Sequence, residues 1–70
     1  MNRHQIEEEA NKLPPVFSLR AFPNDKFRVS LASSFVNDYG TVTLYLEVQR
    51  EDRWVSFAKG SLSEIQCQMI

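Results

Sequence analysis

Seventy residues, 43% apolar and 24% charged, fit one small globular domain, residues 1–70, with no room for a second domain or a deep catalytic cleft. Eight Lys and Arg against nine Asp and Glu leave a net charge of −1, whereas a dedicated nucleic-acid binder is usually basic. The one cysteine, Cys67, excludes an internal disulfide, and no apolar run is long enough to cross a bilayer.

Residues 3–13 carry a helical pattern, because Ile6, Ala10 and Leu13 fall at i, i+4 and i+7 on one stripe. Glu7, Glu8 and Glu9 lie in its early turns, where negative charge suits the helix dipole, and Lys12 lies near its other end. Pro14 and Pro15 end it, since proline offers no amide and disfavours helix in the residue before it. These first fifteen residues are polar, so no signal peptide is expected.

Four strands are predicted next, at residues 16–22, 27–36, 41–50 and 54–59, each rich in Val, Leu, Phe, Thr or Tyr. The separators are Pro23-Asn24-Asp25, Asn37-Asp38-Tyr39-Gly40 and Glu51-Asp52, all favourable to turns. Gly60 breaks the last strand. Ser61 or Ser63 then caps a short helix running to Ile70, with Leu62, Ile65 and Met69 on one stripe.

Side chains alternate across a strand, so the requirement for one apolar face selects a register. A three-residue first loop sets Phe17 opposite Leu31 and Arg20 opposite Arg28. Gly40, last in the second loop, supplies a left-handed residue and sets Leu31 opposite Leu46 and Arg28 opposite Gln49. The third turn sets Val48 opposite Val55, Leu46 opposite Phe57 and Gln49 opposite Trp54. The expected fold is α+β: an N-terminal helix, a four-stranded antiparallel meander in order 1-2-3-4, and a short C-terminal helix. Its apolar face includes Phe17, Leu19, Ala21, Phe27, Val29, Leu31, Phe35, Leu44, Leu46, Val48, Val55 and Phe57. Two short helical stripes have to cover it, and a homodimer is another way to complete so small a core.

The catalytic inventory is thin. His4 sits near the N-terminus on a solvated helix, and Cys67 has no positive neighbour to activate its thiol. Glu7, Glu8 and Glu9 point in different directions on a helix, and Gly40 and Gly60 are isolated, so no metal, cofactor or phosphate site is expected. The chain therefore reads as a non-enzymatic, cytoplasmic interaction module: an adaptor, assembly factor or inhibitor. Arg20, Arg28, Tyr45 and Trp54 are the predicted partner-binding residues. They fall on the polar sheet face and are the residue types that dominate interface hot spots. Opposed arginines there favour a protein partner with an acidic, partly apolar segment. The alternative is single-stranded nucleic acid stacking on the same face, against which stand the acidic pI of about 5.7 and Glu47 in mid-face.

Overall fold

The computed structural model describes residues 3–70. Its elements are α1 (Arg3–Ala10), β1 (Phe17–Leu19), β2 (Phe22–Val36), β3 (Val42–Arg50), β4 (Arg53–Gly60) and α2 (Leu62–Gln68). The four strands form one sheet in order β1-β2-β3-β4, each neighbour antiparallel, as the alternation pattern requires.

α1 is shorter than the predicted 3–13. Past Ala10 the chain tightens into i→i−3 bonds: Lys12 N–H donates to the Glu9 carbonyl at 3.1 Å and Leu13 N–H to the Ala10 carbonyl at 3.0 Å. That tightened turn still delivers Leu13 to the core beside Ile6. No acidic residue lies in the first helical turn; the glutamates act through side-chain pairs instead. Arg3 Nε is 3.9 Å from Glu7, His4 Nε2 is 2.8 Å from Glu8, and Lys12 Nζ is 3.5 Å from Glu9. Gln5 Nε2 donates to the Gly40 carbonyl at 3.1 Å, tying α1 to the β2–β3 loop.

α2 starts on a capping box. Glu64 N–H donates to Ser61 Oγ at 3.3 Å, and Ser61 N–H donates to Glu64 Oε1 at 2.8 Å. The Ser61 backbone bond, and then its side-chain bond, hold the Glu64 carboxyl below its ordinary pKa. Ile65 is buried, with Leu62 and Met69 packed against the same core, as their stripe predicts.

The β2–β3 loop also behaves as its residues dictate. Gly40 takes φ 81°, and Asn37 Oδ1 accepts from the amides of Tyr39 at 2.9 Å and Thr41 at 3.0 Å.

The first hairpin departs from the predicted register. Residues 20 and 21 reverse the chain, and Pro23-Asn24-Asp25 becomes a bulged stretch inside β2. Proline has no amide for a ladder, so a bulge accommodates Pro23 as well as a turn would. Ser18 Oγ fastens the bulge by donating to the Asp25 carbonyl at 2.9 Å. Phe17 consequently lies opposite Phe27, not Leu31, and their rings stack with centroids 6.5 Å apart.

Two further bulges shift the expected pairs. Between Ser30 and Phe35 the β2–β3 register slips, so Val29 lies opposite Leu46 and Arg28 opposite Glu47. Buried Ser34 bridges this slip, donating to the Ser30 carbonyl at 2.7 Å and accepting from Tyr45 N–H at 3.0 Å. Leu31 is thereby released from the core and lines a hollow beside α1 with Ile6. In β4 the slip falls at Phe57. Val48 still meets Val55 and Gln49 meets Trp54, but Leu46 meets Ala58.

Both helices cover the same sheet face. Ile6, Leu13 and Ile65 join Phe17, Leu19, Phe27, Val42, Leu44, Leu46 and Val48 in one core. Phe27 and Leu44 are fully buried, each contributing roughly 1.5–3 kcal/mol. α1 packs mainly on β2 and β3, and α2 on β3, which leaves the Val55–Phe57 stretch of β4 partly uncovered. Val55 and Phe57, expected in the core, are consequently exposed, and so is Phe35, which turns to the other face.

Candidate binding face

The face opposite the helices is built from the odd positions of β3: Thr43, Tyr45, Glu47 and Gln49 alternate with the buried Val42, Leu44, Leu46 and Val48. Cross-strand pairing adds Arg28 and Ser30 from β2 and Trp54, Ser56 and Lys59 from β4. Arg28, Tyr45 and Trp54, predicted from the sequence, therefore share this open face.

Arg28 and Trp54 are in direct contact. The guanidinium carbon lies 4.3 Å from the indole centroid, and Arg28 Nε donates to Glu47 Oε1 at 2.9 Å. With side chains 44% and 22% exposed, the ion pair is worth only about 0.2–1 kcal/mol, and the cation–π contact adds roughly 0.5–1 kcal/mol. Their value is positional: one guanidinium nitrogen is bonded, the plane rests on a ring, and the remaining donors of the fork stay available.

Tyr45 forms a second cluster. Lys59 Nζ lies 5.8 Å from its ring centroid, and the Phe35 ring packs against it with centroids 6.2 Å apart. Phe35 was assigned to the core by strict alternation. The Ser34 bulge turns it outward, and the neighbouring serines, Ser33 and Ser34, are the one sequence feature that hints at a hydroxyl replacing a ladder bond.

Arg20 is not part of this arrangement. It occupies the β1–β2 turn, where its amide donates to the Gln68 carbonyl at 2.8 Å and its Nε to the Met69 carbonyl at 3.2 Å. The predicted Arg20–Arg28 opposition is thus replaced by Arg28 opposite Glu47, because the earlier chain reversal ends β1 before Arg20. Arg20 holds the C-terminal segment in place.

His4 is highly exposed on α1 beside Glu8, and Cys67 is exposed on α2. Among the described residues no three His, Cys, Asp or Glu side chains form a group able to hold a metal ion, and no helix is long and apolar enough to cross a membrane. Compared with protein-family models, curated proteins and solved structures, the chain matches none.

Proposed function

We propose that this chain is a non-enzymatic interaction module that docks a polypeptide segment, acidic and partly apolar, on its open sheet face. One observation carries the reading: Arg28, Trp54, Tyr45 and Phe35 lie on a face that neither helix covers. Aromatic rings there offer apolar contact at low entropy cost, and the held Arg28 fork matches a carboxylate. Single-stranded nucleic acid fits less well, because Arg28 lies over the Trp54 ring on which a base would stack. The lone Cys67, with no disulfide partner in the chain, supports a reducing, cytoplasmic setting.

Paired capture from the native extract tests this, using immobilised wild type, Trp54→Ala and Arg28→Glu with nuclease-treated and untreated samples. Trp54→Ala is expected to lower affinity for the captured protein by about 2 kcal/mol or more. Arg28→Glu weakens it chiefly at low salt, since exposed charges are screened over about 8–10 Å at physiological ionic strength. His4→Ala and Cys67→Ser bind like wild type. Loss of the partner on nuclease treatment, or normal binding by a folded Trp54→Ala, would reject the reading.

A further inference from the structure

The two edges of the sheet are treated differently. The chain itself closes the outer edge of β1: Leu19 bridges to Met69, and Ile70 N–H donates to the Ser18 carbonyl at 3.2 Å. The outer edge of β4, Arg53–Gly60, meets no other strand among the described residues. An unpaired edge of this length is a template for another strand.

Beside that edge, on the helix side, lies the uncovered margin of the core. Phe22, Val55 and Phe57 are 41%, 39% and 38% exposed. Phe57 packs on Phe27 with ring centroids 5.0 Å apart and on Phe22 at 5.4 Å, so the margin is continuous with the buried cluster.

The residues of β4 select what fits. Trp54 and Ser56 share the open face, whereas Arg53 and Val55 lie on the helix side, where the bulged Phe57 joins them through its contact with Phe27. Antiparallel neighbours must present the same face to each other. A two-fold axis through Val55 meets this condition. Val55 then lies opposite itself, Trp54 opposite Ser56, and Arg53 opposite Phe57. Just outside β4, the same register brings the turn residue Glu51 toward Lys59 at both ends, and neither residue has an ion-pair partner among the described residues. An axis through Ser56 fails twice, by opposing Arg53 to Lys59 and by setting Trp54 against Ala58, which lies on the other face.

The geometry points to a homodimer in which β4 pairs antiparallel with β4 of a second copy, Val55 on the two-fold axis. The two sheets become one of eight strands, and both Phe22–Val55–Phe57 margins are brought together on its helix side. Such a self-complementary contact closes, so assembly stops at two chains. Pairing at β4 does not depend on what the open face binds.

Sedimentation over a concentration series tests it. Wild type is expected to approach twice the chain mass of 8.1 kDa as concentration rises. Val55→Lys, which sets two lysines on the axis, stays at the single-chain mass throughout. Glu51→Lys lies in an exposed turn and leaves folding intact; it raises the dimer Kd about tenfold, and adding Lys59→Glu restores it. His4→Ala, on the exposed side of α1, leaves the dimer unchanged. A wild type that remains single-chain at every concentration would overturn the inference. So would a dimer that survives Val55→Lys, a double swap that fails to restore it, or dissociation caused by His4→Ala.

Discussion

Replacing Ser34 with alanine removes one oxygen and orphans two backbone groups. Ser34 Oγ receives Tyr45 N–H at 3.0 Å and donates to the Ser30 carbonyl at 2.7 Å, standing where the β2–β3 ladder slips. Its residue is 8% exposed, so water does not readily replace the hydroxyl. An unsatisfied buried backbone group costs about 1–3 kcal/mol, and β2 can relax to recover part of that for two groups. A loss of about 2–4 kcal/mol is expected. A 70-residue domain has roughly 3.5–10 kcal/mol in total, so the change is a large share of stability. Urea titration of wild type, Ser34→Ala and Ser34→Thr measures it, with Ser34→Thr retaining the hydroxyl and most of the stability. The Tyr45 amide should also exchange faster in Ser34→Ala, and Phe35 should lose its fixed position against Tyr45. If Ser34→Ala lies within about 0.5 kcal/mol of wild type, the hydroxyl does not hold the bulge and the outward turn of Phe35 has another cause.

Leu46→Ala should cost about 2–5 kcal/mol in a thermal or urea melt, because Leu46 is buried at the centre of β3; Leu31→Ala, outside the core, should cost far less. Gly40→Ala should cost about 1–2 kcal/mol although the added methyl meets open space, since φ 81° alone is unfavourable for an L-residue; equal melts would contradict that backbone angle. The Glu64 cap sets a pH dependence. Its folded pKa lies below the unfolded value, so its contribution is complete above the unfolded value and is lost as pH falls through the folded one. The Ser61 and Glu64 amide shifts should titrate in that acid range in wild type and stay flat in Glu64→Gln, which keeps the cap without the charge.

Strand order, both terminal helices, the Gly40 loop, the Ser61 cap and the Val48–Val55 and Gln49–Trp54 pairs were legible in residue types and spacing. Each depends on a local preference or on uninterrupted alternation. The first-hairpin register was not legible, because Pro23-Asn24-Asp25 suits a chain reversal and a bulge equally, and the outcome rests on Phe17 reaching Phe27 across the sheet. At Ser30–Phe35 one buried hydroxyl substitutes for ladder bonds, a choice invisible to a period-two pattern. The same limit explains the site. Tyr45 lies on β3, whose own alternation is unbroken, and Trp54 precedes the slip in β4, so both were placed on the open face correctly, whereas Arg20 and Phe35 lie beside irregularities in their own segments and were not.

Amide-shift mapping shows whether a partner docks on the open face. The ¹⁵N-labelled chain would be titrated with the protein captured from the native extract. Changes are predicted to concentrate on Arg28, Ser30, Tyr45, Glu47, Trp54 and Ser56, with α1 and α2 largely unmoved. Changes concentrated on the helices, or a partner that shifts wild type and Trp54→Ala alike, would contradict the account.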